Sequence, residues 1–156
     1  MKRRGLWAAG VVLLLVVGVV AVLAVGTGFA KDEDAGAKCS EATLDGMYLF
    51  ALDGVDITEN DQAPFAVAGY RVYDGNGKLK GVASANFNGD IVSKEPFSGT
   101  YKVKADCTGT LTLRDGLQND LFIAPDGSMF TFVQTKPPEG VTSGFELRGT
   151  AKRVGD

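Results

Sequence analysis

The sequence of 156 residues contains no histidine, and this absence excludes several kinds of site. Without an imidazole, the chain cannot build a Ser-His-Asp or Cys-His nucleophilic system. The histidine ligand sets of zinc, haem and non-haem iron are excluded as well. The chain also carries no motif of a cofactor site, so we expect neither a metal nor a cofactor.

Negative charge exceeds positive charge after residue 30. The chain has 16 basic and 19 acidic side chains, and Lys2, Arg3 and Arg4 leave 13 basic against 19 acidic after residue 30. An acidic domain is poorly suited to hold a phosphate backbone, and its lysines form no stripe interleaved with aromatic residues. We therefore expect no nucleic-acid partner.

One long apolar segment lies near the N-terminus. Residues 6–26 are apolar throughout, and a helix of that length is about 31 Å long, which matches the hydrocarbon core of a bilayer. The basic residues before it stay in the cytoplasm by the positive-inside rule, which places the rest of the chain across the membrane. The segment 1–30 is either an uncleaved signal anchor or a signal peptide.

The two alternatives predict different locations. Gly28 and Ala30 are small residues at the −3 and −1 positions of a cleavage site before Lys31, although the apolar segment is longer than in most signal peptides. An uncleaved segment predicts a single-pass protein of the cell membrane whose C-terminal domain lies outside the cytoplasm. Cleavage after Ala30 predicts a secreted or periplasmic protein.

After a charged tether at residues 31–43, the rest of the chain (44–156) has the length of one domain. Apolar residues recur there at every second position, as in 96–105, where Phe97, Tyr101 and Val103 share one face. The pattern predicts about eight strands. They lie at residues 47–53, 65–73, 79–87, 96–105, 107–114, 118–124, 128–135 and 143–154.

Short turns connect the predicted strands. Asn88-Gly89 and Asp115-Gly116 supply the residues that tight hairpins need, and the segments 74–77 and 125–127 do the same. Sequential hairpins favour a small antiparallel up-and-down barrel, because closure removes exposed sheet edges. A β-sandwich remains the alternative, since a strand count does not separate the two folds. Glycines within the strands are interpreted as bends: Gly69, Gly81, Gly99 and Gly149.

The chain has only two cysteines, Cys39 and Cys107. In an exported domain two cysteines are expected to form a disulfide, whereas two free thiols would need a reducing compartment. The loop-entropy model gives such a bridge roughly 4 kcal/mol of stabilisation. It would join the N-terminal segment to the fifth predicted strand.

The residues around these cysteines resemble those of uncharacterised secreted bacterial proteins. The resemblance covers about residues 39–150 and is sharpest in Gly99-x-Tyr101-x-Val103-x-x-Asp106-Cys107-Thr108-Gly109. It implies a calycin-like or allene-oxide-cyclase-like barrel and the Cys39–Cys107 pairing, but no activity and no catalytic residues. Independently of the resemblance, Asp106 is suited to an Asx turn and Gly109 to a close backbone approach.

Four carboxylates, Asp53, Asp56, Glu59 and Asp61, lie within residues 53–61. Carboxylate oxygens are ligands for Ca²⁺, but the spacing does not match an EF-hand. We therefore interpret the segment as a solvated charged loop rather than a metal site.

An enzyme of the cyclase or isomerase type would need carboxylates and tyrosines that converge in the mouth of the barrel. The candidates are Glu95, Asp120, Glu146, Tyr70 and Tyr101. Nothing in their spacing singles them out, so we expect that the protein is not an enzyme.

Aromatic residues are the candidates for lining a cavity that holds a small hydrophobic ligand. They are Tyr48, Phe50, Phe97, Tyr101, Phe122 and Phe132. The favoured alternative is that these side chains simply fill the core of a small domain. The leading functional hypothesis is then a structural or interaction role at the cell envelope, with ligand binding as the alternative.

Overall fold

The structure is a computed structural model that describes residues 38–57, 62–141 and 144–155. The predicted membrane or signal segment at residues 1–30 lies outside these residues, as do residues 31–37 of the predicted tether. In the described ranges we find no helix with the length and apolar character needed to cross a bilayer.

The described residues form one short 3₁₀ helix followed by eight strands. The helix is Glu41–Thr43, and the strands are β1 (Asp45–Ile57), β2 (Gln62–Asp74), β3 (Lys78–Phe87), β4 (Asp90–Val103), β5 (Thr108–Leu113), β6 (Gln118–Ile123), β7 (Met129–Lys136) and β8 (Gly144–Val154). Each strand pairs antiparallel with the next, and β1 pairs with β8. The predicted closed up-and-down barrel is therefore confirmed, and the sandwich alternative does not hold.

Aspartate side chains shape the turns. At Asp74, Asp106 and Asp126 a carboxylate oxygen accepts a hydrogen bond from the backbone N–H two residues later, at 2.8, 3.0 and 2.9 Å. This is Asx-turn geometry, and it confirms the prediction for Asp106. Asn88 and Gly89 have φ values of 51° and 108°, which gives the predicted two-residue hairpin between β3 and β4.

The prediction of a charged loop from residue 53 onwards was wrong for its first half. β1 continues to Ile57, so Asp53 and Asp56 lie within the strand. Asp53 pairs with Ala66 of β2 and with Arg148 of β8. Pairing on both sides overrides the low strand preference of aspartate.

The first half of β4 was not predicted as a strand. β4 begins at Asp90, and residues 90–92 pair with β3 beyond an irregularity in the register. Residues 90–96 are all exposed, so buried and exposed residues do not alternate along this segment. Sequence-based strand assignment depends on that alternation.

Aromatic side chains fill the interior of the barrel at the end where β1 begins. The rings of Tyr73 and Tyr101 meet edge to face with centroids 5.0 Å apart, and Tyr48 and Tyr73 do so at 5.3 Å. Such pairs stabilise a core beyond the effect of the buried area alone. The buried apolar residues are Cys39, Leu44, Tyr48, Phe50, Phe65, Tyr73, Leu79, Tyr101, Leu111, Leu117, Leu121, Ile123, Phe130, Phe132, Leu147 and Ala151.

Two of the glycines interpreted as bends also make room for aromatic rings. A Cβ atom added to Gly81 would come within 2.6 Å of the Phe97 ring, and one added to Gly149 would come within 2.5 Å of the Phe132 ring. A larger residue at either position would displace a ring from the interior.

The predicted disulfide between Cys39 and Cys107 is present, with a Cα separation of 5.0 Å. It ties the N-terminal segment to the connection between β4 and β5. We call this part of the molecule the disulfide end; it comprises residues 38–44 and the turns 75–77, 104–107 and 124–128. The open end comprises residues 54–57, 62–65, 114–117 and 134–141.

Candidate ligand-binding cleft and barrel interior

Most of the aromatic residues predicted to line a cavity lie inside the barrel. Tyr48, Phe50, Tyr101 and Phe132 are buried, and Phe97 is partly buried against the same core. Phe50 and Phe97 meet edge to face with ring centroids 5.9 Å apart. These five side chains therefore belong to one interior cluster.

Phe122 lies apart from this cluster, on the outer surface of β6. Its side chain is 55% exposed, whereas its neighbours Leu121 and Ile123 are buried. Successive residues of a strand point to opposite faces, so Phe122 faces outward. Because β6 carries apolar residues on both faces, its sequence pattern does not show which face lies inside.

Tyr48 and Arg153 form a hydrogen-bonded anchor at the disulfide end. The Tyr48 hydroxyl donates to the carbonyl of Gly127 at 2.6 Å and accepts from Nη2 of Arg153 at 2.9 Å. Arg153 also donates to the carbonyl of Thr43 at 2.6 Å. Burial raises the pKa of Tyr48, and the Arg153 hydrogen bond and charge oppose the rise. The hydroxyl is thus committed to the fold.

Tyr101 is a second anchor at the same end. Its hydroxyl lies 3.0 Å from the carbonyl oxygen of Glu41 and 2.9 Å from that of Leu44, the two acceptors in reach of its one proton. Burial raises the pKa of Tyr101 to about 12, so this side chain is neutral at physiological pH. Tyr101 directly, and Tyr48 through Arg153, therefore hold the N-terminal segment on the barrel, and both hydroxyls have little capacity left to bind a ligand.

The candidate acid–base residues do not share one cleft. Tyr70, Asp120 and Glu146 occupy outward positions on β2, β6 and β8, and Glu95 is exposed on β4. Tyr101 faces inward at the disulfide end. The convergence that acid–base catalysis requires is absent from these five described residues.

Asp53 and Asp56, the two described members of the carboxylate cluster, lie three positions apart in β1 and face opposite sides. Asp53 is exposed and pairs with Arg148 at 3.5 Å, while the Oδ1 atom of Asp56 is buried without a hydrogen-bond partner in the described residues. Glu59 and Asp61 lie outside the described ranges. Among the residues that the structure describes, no cluster of three or more metal-ligating side chains occurs.

A cleft opens where β7 and β8 separate. Their ladder extends from Met129 and Lys152 to Val133 and Arg148, whereas β8 stays paired with β1 as far as Ile57. The resulting cleft has a volume of about 450 Å³. It is lined by Asp53, Gly54, Val55, Val133, Gln134, Glu146, Leu147 and Arg148. The lining includes both inward and outward positions of the strands, so the cleft leads from the surface toward the interior.

Buried amide atoms beside this cleft lack partners in the part of the chain that the structure describes. Both polar atoms of the Gln134 side chain, and Oδ1 of Asn119, are buried and have no hydrogen-bond partner among the described residues. Asn119 and Gln134 are cross-strand neighbours in β6 and β7. An unsatisfied buried polar group costs about 1–3 kcal/mol, so such groups in a native protein are usually satisfied by water, an ion or a ligand.

Arg71 lies inside the barrel and is only 2% exposed. Its guanidinium carbon is 4.1 Å from the ring centroid of Phe50, 4.7 Å from that of Phe132 and 5.8 Å from that of Phe97. In residues 38–57, 62–141 and 144–155, its Nε and Nη1 atoms have no hydrogen-bond partner and no carboxylate forms an ion pair with it. The interior therefore contains a positive charge that packs against aromatic rings and lies near the Tyr73 hydroxyl.

Sequence reasoning did not single out Arg71, although a signal for it was present. Phe65, Arg71 and Tyr73 share the inward face of β2, so the two-residue alternation alone places a charged residue among buried ones. The Tyr73 hydroxyl is likewise buried and without a hydrogen-bond partner among the described residues. Burial raises the pKa of Tyr73, and the nearby Arg71 charge opposes the rise although the two groups do not meet in hydrogen-bonding geometry.

Comparison with protein-family models and with curated proteins finds no match for this chain. The description of its site therefore depends on its own residues.

Proposed function

We propose that the barrel binds a small organic molecule in the cleft between β1, β7 and β8. The observation that carries this proposal is the buried amide of Gln134, which lines the cleft and has no partner among the described residues. A ligand in the cleft would supply the missing hydrogen bonds. Ligand sites typically combine an apolar lining with a few convergent polar groups of this kind.

The size and lining of the cleft fit this proposal. Its volume of about 450 Å³ lies within the range of small-molecule sites. Gly54, Val133 and Leu147 supply apolar surface, and Gln134 supplies one donor and one acceptor group. A compact ligand with an apolar body and at least one polar group matches this arrangement.

The proposal is tested by NMR titration of the ¹⁵N-labelled protein, as recovered from an exporting host, with 2-phenylethanol and with phenylacetate. We expect the amide signals of Gly54, Gln134 and Leu147 to shift with at least one of these probes. The Val133→Trp variant places a large side chain at the lip of the cleft and should abolish the shifts. Thr150→Trp, outward-facing on the neighbouring strand, is the matched control and should retain them. The absence of shifts with both probes would contradict the proposal.

We also propose that the segment 1–30 exports the barrel, either as a membrane anchor or as a signal peptide cleaved after Ala30. The Cys39–Cys107 disulfide supports export, because disulfides persist in oxidising compartments. N-terminal sequencing of the protein recovered outside the cytoplasm distinguishes the alternatives, since cleaved material begins at Lys31. Recovery of the protein only in the cytoplasm with free thiols would contradict both.

A second candidate function is an interaction role at the cell envelope. The observation in its favour is the outward face of β1 and β2, where Met47, Leu49 and Tyr70 are 41%, 54% and 38% exposed. Contiguous exposed apolar surface is typical of interaction sites. Leu49→Lys should abolish chemical cross-links that the wild-type protein forms in its host, whereas Thr131→Lys on another strand should retain them. Cross-links that survive Leu49→Lys would exclude this surface.

The resemblance to secreted bacterial barrels stays a proposal as well. It is supported by the closed barrel and by the disulfide that the resemblance implies. It adds no activity to the two functions above.

A further inference from the structure

The buried charge of Arg71 needs a counterion and hydrogen-bond acceptors, and the described residues supply neither for its Nε and Nη1 atoms. A guanidinium group stays protonated in proteins, so burial does not neutralise it. Its contacts with the rings of Phe50, Phe97 and Phe132 are favourable. Cation–π contacts, however, offset only part of the free-energy cost of desolvating a charge. The Nε–H and Nη1–H groups of Arg71 have no acceptor among the described residues, and no described carboxylate forms an ion pair with it.

The surroundings define which anion fits. Arg71 is the one buried cationic side chain in the described part of the protein, so it balances a single negative charge. A carboxylate matches the planar donor geometry of a guanidinium group. The aromatic rings around it favour a ligand whose remaining part is apolar.

The cleft lies close to Arg71 along β7. Gln134 lines the cleft, and Phe132, two positions earlier on the same inward face of β7, contacts the guanidinium group. Residues two apart in a strand are about 7 Å from each other. A ligand of a few carbon atoms that passes Gln134 therefore spans the distance to the Phe132 ring.

We propose that Arg71 is the anchor of an organic monocarboxylate, whose apolar part lies toward the cleft beside Gln134 and Leu147. This inference rests on the function proposed above and adds the chemical class of the ligand. The carboxylate would accept a hydrogen bond from Nε–H of Arg71 and neutralise its charge within the aromatic cluster.

The test compares phenylacetate with its neutral analogue phenylacetamide by NMR titration of the ¹⁵N-labelled exported protein. We expect phenylacetate to bind at least about tenfold more tightly and to shift the Nε–Hε signal of Arg71. In Arg71→Met, this preference should fall below about twofold, because the variant keeps a long side chain without charge. Arg114→Met removes an exposed arginine near the open end and should keep the full preference. Arg71→Lys keeps the charge without the planar donors and should retain part of the preference for phenylacetate.

The outcomes separate this inference from the proposed function. If phenylacetate and phenylacetamide bind the wild-type protein equally, or if Arg71→Met keeps the preference, the inference is overturned and the cleft remains a binding site. If neither 2-phenylethanol nor phenylacetate binds, both proposals fail.

Urea unfolding without ligand gives an independent readout. Because no carboxylate of the described residues pairs with Arg71, Arg71→Met should unfold at the same urea concentration as the wild-type protein or a higher one. A lower midpoint, or a variant that does not fold, would mean that the guanidinium group already stabilises the empty barrel, and would overturn the proposal.

Discussion

Buried polar groups at the two ends of the barrel differ in their hydrogen bonding. At the disulfide end, the hydroxyl groups of Tyr48 and Tyr101 and the guanidinium group of Arg153 all form hydrogen bonds of 2.6–3.1 Å. Toward the open end, both polar atoms of the Gln134 amide and Oδ1 of Asn119 are buried and lack partners in the described residues. The disulfide end therefore has the features of a structural closure, and the open end has the features of a site that is completed by something else.

Two arginines show the same contrast within one chemical group. Arg153 lies 5.4 Å from the ring centroid of Tyr48 and also donates to two oxygen atoms. Arg71 lies still closer to a ring, at 4.1 Å from Phe50, but its Nε and Nη1 atoms donate to none of the described residues. Aromatic contact is common to both, so hydrogen bonding distinguishes the structural arginine from the candidate anchor.

The largest predicted effect comes from opening the disulfide end. The double variant Cys39→Ser/Cys107→Ser removes a bridge with a sequence separation of 68 residues. The free energy of unfolding should fall by about 4 kcal/mol, because the unfolded chain regains loop entropy. Urea unfolding of the variant and of the oxidised wild-type protein measures the difference. The reduced wild-type protein is the control and should match the variant; a loss below about 1 kcal/mol in both would contradict a structural role for this bridge.

The next prediction compares two buried tyrosines. Tyr101→Phe removes a hydroxyl that bonds to the N-terminal segment and should lower the free energy of unfolding by about 1–2 kcal/mol. Tyr73→Phe removes a hydroxyl without a hydrogen-bond partner in the described residues, so stability should stay unchanged or rise. Thermal or urea unfolding of both variants measures the two changes in the free energy of unfolding. Equal losses would mean that the two hydroxyls are equivalent and would remove the contrast between them.

Alkaline pH should lower the free energy of unfolding, and part of this effect should depend on Tyr101 at the disulfide end. In the unfolded chain this tyrosine loses its proton near pH 10, whereas in the folded protein its pKa is raised to about 12. Between these values the unfolded state binds fewer protons, so the free energy of unfolding falls as the pH rises. Tyr101→Phe should show a shallower fall over the same range. Parallel pH profiles for the two proteins would exclude this contribution.

Local chemistry explains why much of the fold follows from the sequence. Asn88-Gly89 marks a hairpin and Asp106 an Asx turn because each depends on one or two residues. The expectation of export predicted a disulfide between the only two cysteines of the sequence, and the two are bonded. The alternation of apolar residues placed the strands, since one face of each is buried in the barrel.

The remaining features depend on contacts between distant strands. Asp53 lies in a strand because β2 and β8 pair with it on both sides, which its local sequence does not show. Phe122 faces outward because Leu121 and Ile123 face inward, although all three are apolar. The candidate site was missed for a related reason: that Arg71 and Gln134 lack partners among the described residues is visible only once the neighbouring strands are in place.

The smallest predicted effect tests the open end. Gln134→Leu replaces an amide without partners in the described residues by an apolar group of similar size. Its free energy of unfolding should stay within about 1 kcal/mol of the wild-type value or rise, because an unsatisfied buried group is removed. The same variant should weaken phenylacetate binding, measured by NMR titration. Thr112→Leu, on the exposed face of β5, is the control and should leave binding intact. A clear loss of stability in Gln134→Leu, with binding unchanged, would make this amide part of the closure and would give the two ends the same role.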